Sequence, residues 1–215
     1  MSRFLRRATR VAALLLILAG LVALAYAAYV VIDARAYQAS AHHELESTRQ
    51  QASAALSDRD PLFSSTAPSV AEGASIGEIR IPRLGLTAIV AEGESTAVLQ
   101  RAIGHLAETA LPGESGNVVL AGHRDTLFRP LRLIRIGDAI ALNTQYGDFE
   151  YVVEWTEVVG PEDVDVVQST GRSTLTLITC FPFSYVGPAP ERFVVRARET
   201  SRYVWSSGHR TTFRR

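Results

Sequence analysis

Three residues that lie at the ends of predicted strands have side chains suited to nucleophilic chemistry. Cys180 ends the apolar run STLTLITC, His123 follows the run NVVLAG, and Arg192 lies near the start of the last predicted strand. A thiol attacks as the thiolate, which a neighbouring imidazolium or guanidinium favours. Acyl transfer also needs an acid for the leaving amine and a donor for the oxyanion, which His and Arg supply. Together the three residues predict acyl transfer at Cys180, although each alone also has a structural interpretation.

The composition of the chain excludes several alternative kinds of catalytic site. All 22 positive residues of the 215-residue chain are Arg, which excludes Schiff-base chemistry and Ser/Lys dyads, because both need an amine that can lose its proton. Cys180 is the single cysteine, so an intramolecular disulfide and a cysteine-based zinc cluster are excluded. The 22 acidic residues balance the arginines, which argues against nucleic acid as a partner. No cofactor is expected, and no metal, since the sequence has no D-x-D-x-D calcium loop.

An uncharged apolar segment near the start of the chain is long enough to cross a membrane. Residues 1–10 contain four arginines and no acid, and residues 11–32 contain no charge. A helix of about 20 residues spans the hydrocarbon core, and the positive-inside rule places residues 1–10 in the cytoplasm. A cleaved signal peptide and a buried soluble helix are the alternatives. We predict an uncleaved, single-pass signal anchor in the cell membrane, with the rest of the chain outside the cytoplasm.

The segment after the anchor, residues 33–75, is predicted to be a stalk. Its first part, to about residue 56, is rich in Ala, Gln, Glu and Arg, which favours a helix that continues out of the membrane. The remainder is dense in Ser, Pro, Ala and Gly and is typical of an extended linker. The adjacent His42 and His43 are expected to be exposed to solvent.

From residue 76 the pattern changes to short strands with alternating apolar residues. Phe149, Tyr151, Val153 and Trp155, for example, are expected to share one face of a strand. One segment, Ser95–Leu106, has apolar residues at helical spacing and is predicted to be a helix. Many short strands with one short helix indicate a small, mostly antiparallel β-barrel or sandwich. Residues 199–215 are expected to form a polar tail.

Two strings place this domain close to a known family. LAGHRDTLFRPL and TLTLITCFPFSYVGPAPERFVVRA resemble the sortases, membrane-anchored cysteine transpeptidases, over residues 77–198, and the CFPFSYVGPAPERF form looks most like class D. The resemblance implies an eight-stranded sortase-type β-barrel with one or two short helices in residues 76–198. It also implies that Cys180 is the nucleophile, His123 the general acid/base and Arg192 the oxyanion stabiliser, with Thr179 lining the substrate cleft.

The same resemblance implies the reaction and its partners. Cys180 would cleave an LPxTG-like sorting signal of a protein substrate, and an amine from a cell-wall precursor or a pilin would resolve the thioacyl enzyme. Two other functions remain open. One is a different extracytoplasmic thiol enzyme such as an L,D-transpeptidase, although Leu177, Ile178 and Thr179 stand where an S-H-G-C motif would require other residues. The other is a non-catalytic, membrane-tethered β-domain with an inert thiol.

Overall fold

The computed structural model describes residues 3–55, 70–169, 171–206 and 209–214. A single long helix, α1 (Arg3–Ala55), contains the whole predicted anchor. Along residues 11–32 the large apolar side chains are exposed on all sides, an arrangement that water disfavours and lipid accommodates. The helix is long and apolar enough to cross a membrane, as expected for an anchor.

The remainder of the described chain is mainly β. Its strands are β1 (Ser75–Ile81), β2 (Leu86–Glu92), β3 (Ile103–His105), β4 (Asn117–Ala121), β5 (Ala139–Thr144), β6 (Gly147–Val159), β7 (Thr174–Phe181), β8 (Glu191–Ser206) and β9 (His209–Arg214). The short helix α2 (Thr96–Leu99) precedes β3, and 3-10 turns occupy Pro82–Leu84, Arg129–Leu133 and Val164–Val166.

Eight of these strands close into a barrel. Their order is β6-β5-β1-β2-β3-β4-β7-β8, and the pairing of β8 with β6 completes the circle. Most neighbours are antiparallel, whereas β2 with β3 and β4 with β7 are parallel. The predicted eight-stranded barrel is therefore confirmed. Because β4 and β7 are parallel, both strands end at the same edge of the barrel.

Inward-facing side chains fill the barrel as the alternating pattern predicts. Phe149, Tyr151 and Val153 on β6 are fully buried and pack with the other core residues. Trp155 leaves this face, because the register with β8 shifts between Val153 and Trp155. Its ring instead lies 5.4 Å from the guanidinium carbon of Arg196.

The predicted helix Ser95–Leu106 is wrong beyond its first turn. Helix α2 ends at Leu99, and Ile103–His105 forms strand β3 between β2 and β4. Gly104 permits this close approach, since a Cβ there would lie only 2.3 Å from the carbonyl oxygen of Gly93. Ile103 is fully buried in the barrel core. Pairing with two strands and burial therefore outweigh the helical spacing of the apolar residues.

The part of α1 beyond the anchor is helical, as predicted, but it packs against the barrel. Ala41 and Leu45 are buried, and the hydroxyl of Tyr37 donates a hydrogen bond to Gly73 O at 3.0 Å. His42 was expected in solvent, yet its Nδ1 lies 2.8 Å from a carboxylate oxygen of Glu78 on β1. The predicted linker lies largely outside the described residues.

The chain after residue 198 continues as sheet where a polar tail was expected. Strand β8 runs to Ser206, pairing with β6 as far as Val204, and β9 pairs with its second half. Within it, the guanidinium of Arg202 donates to the carboxylate of Glu199 at 2.6 and 3.0 Å and to Gly113 O at 2.9 Å. These contacts explain why polar residues are retained in the sheet here.

Candidate active site

The ends of β4 and β7 bring His123 and Cys180 to one edge of the barrel. The parallel register pairs Ala121 with Ile178, and the amide of Gly122 continues it by donating to Ile178 O at 3.2 Å. His123 and Cys180 each lie two residues beyond that last pair. The pairing of two buried strands thus brings together two residues that are far apart in the sequence.

The antiparallel pairing of β7 with β8 adds the third residue. Arg192 stands directly opposite Cys180 in the register. Directly opposed residues have Cβ atoms about 4.5–5.5 Å apart, well within reach of an arginine side chain. The Nη1 atom of Arg192 donates to Glu191 O at 3.0 Å and to Ala189 O at 3.3 Å, which holds the guanidinium at the end of the β7–β8 connection.

Accessibility distinguishes the reactive side chains from their neighbours. The thiol of Cys180 is free, and Cys180, His123 and Arg192 are all half-buried, so a substrate can reach them. Asp125 is exposed, as expected for a loop carboxylate that does not orient His123. The arrangement brings a thiol, an imidazole and a guanidinium to one accessible edge of the barrel.

Thr179, which was expected to line the substrate cleft, is almost completely buried. The residue is only 2% exposed, and its hydroxyl donates to Gly122 O at 2.7 Å. This bond ties β7 to the residue that precedes His123. The buried hydroxyl therefore links the strand that carries Cys180 to the segment that carries His123.

Sequence reasoning missed the residues that hold His123. A Cβ on Gly122 would lie 2.7 Å from Cδ2 of Phe128, a fully buried ring. The amide of Phe128 donates to His123 O at 3.1 Å and closes the turn that carries the histidine. A glycine before His123 and an aromatic residue five positions after it are the sequence signals that indicate this packing.

Three aromatic rings support the base of the β7–β8 connection. The rings of Phe181 and Phe193 stack with centroids 6.2 Å apart, and Phe183 meets Phe193 edge-on at 5.4 Å. Phe181 and Phe193 directly follow Cys180 and Arg192, so the rings lie on the opposite face of the two strands. The site residues thus stand above an aromatic cluster that fixes both strands.

A polar network anchors the connection between β6 and β7. The side-chain amide of Asn117 donates towards the carbonyl oxygens of residues 166–168 at 3.2–3.3 Å, and Arg196 Nη2 donates to Val166 O at 2.8 Å. Burial lowers the pKa of Arg196 below its usual value. The connection starts at Val159, which pairs with Arg192. The network therefore fixes a second segment that begins beside the site.

No metal centre accompanies this site in the part of the chain that the structure describes. There, no group of three or more His, Cys, Asp or Glu side chains is placed to hold an ion. His105, which is fully buried, forms only a pair with Glu92, with 2.8 Å between Nδ1 and the carboxylate oxygen. Its other ring nitrogen lies 3.0 Å from Ala110 O, so both nitrogens already have protein partners.

Comparisons with known proteins agree with this geometry. The family model of the sortase domain matches residues 79–200, which include His123, Cys180 and Arg192. Sortase D of Bacillus subtilis is 31% identical over 196 residues, covering 89% of this chain and 99% of the relative. The solved Clostridium perfringens sortase D5 transpeptidase is 29% identical with a TM-score of 0.58, over 72% of this chain and 96% of that one.

A second solved structure extends the comparison beyond class D. Sortase E from Streptomyces avermitilis is 32% identical with a TM-score of 0.55, over 65% of this chain and 96% of that one. These relatives favour the sortase interpretation over another thiol transpeptidase or an inert β-domain, and the sortase D matches agree with the class D resemblance. The chain belongs to the sortase family and is a cysteine transpeptidase.

Proposed function

We propose that this sortase cleaves an LPxTG-like sorting signal at its Thr–Gly bond and transfers the acyl group to an amine, with Cys180, His123 and Arg192 as the catalytic residues. The observation that carries this proposal is the register of β7. Its parallel partner β4 leads to His123, and its antiparallel partner β8 places Arg192 opposite Cys180. No other cysteine exists in the chain to act as nucleophile.

In the first step the sulfur of Cys180 attacks the carbonyl carbon of the threonine. The oxyanion that forms accepts hydrogen bonds from the guanidinium of Arg192, which has five N–H donors, of which those on Nη1 bond to Ala189 O and Glu191 O. The carbon–nitrogen bond then breaks, and the proton held by the Cys180–His123 pair passes from His123 to the leaving amine. A thioester on Cys180 results.

In the second step an amine resolves this thioester. His123 accepts the proton of the incoming amine, the new amide forms, and the thiolate of Cys180 is released. The acceptor is an amino group of a cell-wall precursor or of a pilin. Water competes for the same thioester, so slow hydrolysis of the sorting signal accompanies transfer.

We assign Thr179 a positioning role in this reaction in place of direct contact with the substrate. Its burial and its bond to Gly122 O support this assignment.

The orientation proposed for the chain has residues 1–10 in the cytoplasm and the barrel outside. The arginines before the apolar part of α1 support it, and the protein substrates would therefore be met on the outer side of the cell membrane.

The test uses the full chain in detergent micelles with a library of LPxTG-like peptides and amine acceptors. Mass spectrometry should detect a thioacyl adduct on Cys180 and the transfer product. Cys180→Ala should abolish both, and His123→Ala should lower the rate by about 100-fold or more. Arg192→Ala should lower kcat by about 100-fold, the usual effect of removing an oxyanion donor.

Matched measurements make this test decisive. Asp125→Ala, two residues from His123 and exposed, should leave the rate unchanged. In intact cells, a membrane-impermeant methanethiosulfonate reagent should label Cys180 from outside, as the proposed orientation requires. Transfer that persists in Cys180→Ala, or an unreactive thiol together with an unchanged rate in Arg192→Ala, would disprove the proposed mechanism.

A further inference from the structure

Arg124, the residue after His123, connects two segments that flank the active site. Its Nη2 donates to the carbonyl oxygens of Tyr185 at 2.7 Å and of Gly187 at 3.1 Å. Its guanidinium carbon also lies 5.8 Å from the centre of the Tyr185 ring, within the range of a cation–π contact. One side chain thus joins the loop that carries His123 to the connection between Cys180 and Arg192.

The segment that Arg124 holds, residues 182–190, has little else to fix its outer part. Val186 is 94% exposed and Tyr185 is 47% exposed. The aromatic cluster formed by Phe181, Phe183 and Phe193 supports the base of this segment, and two further hydrogen bonds involve it, from the Tyr185 amide to Pro182 O at 3.2 Å and from Arg192 Nη1 to Ala189 O at 3.3 Å. Since few buried contacts restrain an exposed loop, the two hydrogen bonds from Arg124 have a large influence on its conformation.

A second observation concerns the other terminal nitrogen of the same guanidinium. Nη1 of Arg124 is buried and has no hydrogen-bond partner in the described structure. A buried donor without an acceptor lowers stability, and an acceptor that arrives with a ligand recovers the loss. Backbone carbonyls of an extended peptide are acceptors of the required kind. Lysine could not replace this residue fully, because its ammonium lacks the planar, forked set of donors.

We propose that Arg124 is a positioning residue that sets the β7–β8 connection for binding of the sorting-signal peptide, and that a backbone carbonyl of the bound peptide accepts a hydrogen bond from its Nη1. The part about the peptide rests on the proposed function, whereas the restraint of the loop does not. The residue acts on binding, so its removal raises KM while the reacting groups at Cys180 stay in place.

The experiment compares Arg124→Ala and Arg124→Lys with Arg132→Ala in the full chain in detergent micelles. Arg132 is an exposed arginine on the neighbouring 3-10 turn and serves as the matched control. Amide hydrogen exchange of residues 182–190 is measured without peptide, and kcat and KM are measured with the peptide that the wild-type enzyme uses best.

In Arg124→Ala we expect faster exchange throughout residues 182–190 and a KM raised about tenfold, which corresponds to the loss of one hydrogen bond to a charged group. The value of kcat should stay within about threefold of wild type, since the groups that react are untouched. Arg124→Lys should show intermediate exchange, and Arg132→Ala should match wild type in every measurement.

A second arm uses Cys180→Ala protein, which binds peptide without cleaving it. Added peptide should slow exchange in residues 182–190, and Arg124→Ala in this background should remove the protection. Unchanged exchange in Arg124→Ala overturns the restraint of the loop, whatever the activity. A lower kcat with unchanged KM overturns the role in binding. If no peptide is turned over by the wild type, the proposed function fails, while the exchange measurement without peptide still decides the role of Arg124.

Discussion

Gly122 has no side chain, which allows the backbone to pass close to Phe128 immediately before His123. An added Cβ would lie 2.7 Å from Cδ2 and 3.0 Å from Cγ of Phe128. The Phe128 ring is fully buried, and the Gly122 amide and carbonyl are both bonded to β7. A methyl group at this position must therefore shift the Phe128 ring or the backbone that leads into His123.

We therefore predict that Gly122→Ala impairs both stability and catalysis. Overpacking of a filled core should cost about 1–3 kcal/mol of unfolding free energy. Transfer should slow by more than the loss of folded protein explains, because the His123 imidazole no longer meets the leaving amine. Thermal unfolding and the transfer rate at a temperature where the variant is folded measure the two effects separately.

A double variant tests the cause of this defect. Phe128→Leu removes the ring atoms that the new methyl group would meet, so Gly122→Ala combined with Phe128→Leu should be less destabilised than the sum of the two single variants. Such coupling is expected only between residues in contact. Additive losses, or a Gly122→Ala variant with normal stability and rate, would contradict the assignment of Gly122.

Site residues differ in how far the sequence alone predicts them. The sequence suffices to propose Cys180, His123 and Arg192, because the first two follow apolar runs, Arg192 precedes one, and all three lie in recognisable strings. The contacts from which we infer roles for Thr179 and Arg124 involve partners 57 and 61 positions away. Nothing local to either residue distinguishes a buried hydroxyl or a loop-binding guanidinium from an exposed one, so only the paired strands reveal these contacts.

At the level of secondary-structure elements, pairing between segments distant in sequence determines whether an ambiguous segment forms a helix or a strand. The apolar spacing in Ser95–Leu106 favours a helix, but β3 forms because Ile103–His105 completes hydrogen bonds to β2 and β4. The predicted end of the domain at residue 198 lies inside β8 for the same reason, since β6 and β9 extend that strand. Strands with clear alternation, such as β6, are predictable from sequence.

The ion pair between Arg83 and Asp138 should stabilise the fold to an extent that depends on pH. Asp138, just before β5, accepts from Arg83 Nη2 at 2.6 Å and from the amide of Arg135 at 2.8 Å. The hydrogen bond from Arg83, with smaller contributions from the Arg135 amide and both positive charges, lowers the pKa of the Asp138 carboxyl below its ordinary value. The ion pair joins the 3-10 turn after β1 to the start of β5.

We predict that Asp138→Asn lowers the melting temperature by a few degrees at pH 6, and that the difference from wild type shrinks in acid. A carboxyl with a lowered pKa stabilises the fold fully above about pH 4 and stops doing so as the pH falls through its folded-state value. The effect is modest because Arg83 is partly exposed and solvent screens the pair.

Thermal unfolding between pH 7 and pH 3 measures this dependence. Asp163→Asn is the matched control, because that carboxylate is exposed and makes no cap hydrogen bond. Its melting curve should follow wild type at every pH. A difference between wild type and Asp138→Asn that grows in acid would have the wrong sign and would refute the assignment.

Across the whole molecule, α1 connects the anchor directly to the barrel. Asp33, the first residue after the apolar segment, bonds to Arg101 Nε at 2.6 Å, and Gln38 bonds to Arg101 O at 2.6 Å and to the amide of Ile89 at 2.9 Å. Farther along, Arg49 meets Asp148 at 2.6 Å. These contacts hold the barrel beside the part of α1 that directly follows the apolar segment.

The face of α1 that packs against the barrel can be recognised in the sequence from residue spacing, although not from composition. Tyr37, Ala41 and Leu45 follow one another at a spacing of four, which places them on one face of a helix. The two aliphatic residues are buried by the barrel, and burial of Tyr37 raises the pKa of its hydroxyl. The polar residues between them made the segment resemble an exposed stalk, because composition does not show which face is covered.

This docking predicts that α1 contributes to the stability of the catalytic domain as well as to its location. A protein of residues 33–215 keeps the docked face, and one of residues 70–215 lacks it. The shorter protein should melt about 5–10 °C lower, since it exposes the barrel surface that Leu45, Ala41 and Tyr37 cover, and each kcal/mol is worth about 2–4 °C at this size.

Point variants in residues 33–215 separate docking from chain length. Leu45→Asp should reproduce most of the loss, because it places a charge in the buried contact, whereas His43→Ala on the exposed side should be neutral. Equal melting temperatures for the two lengths would show that the contacts from Asp33 to Arg49 contribute nothing to folding. A loss with the shorter chain but not with Leu45→Asp would place the stabilisation in the ion pairs at the two ends of the docked segment.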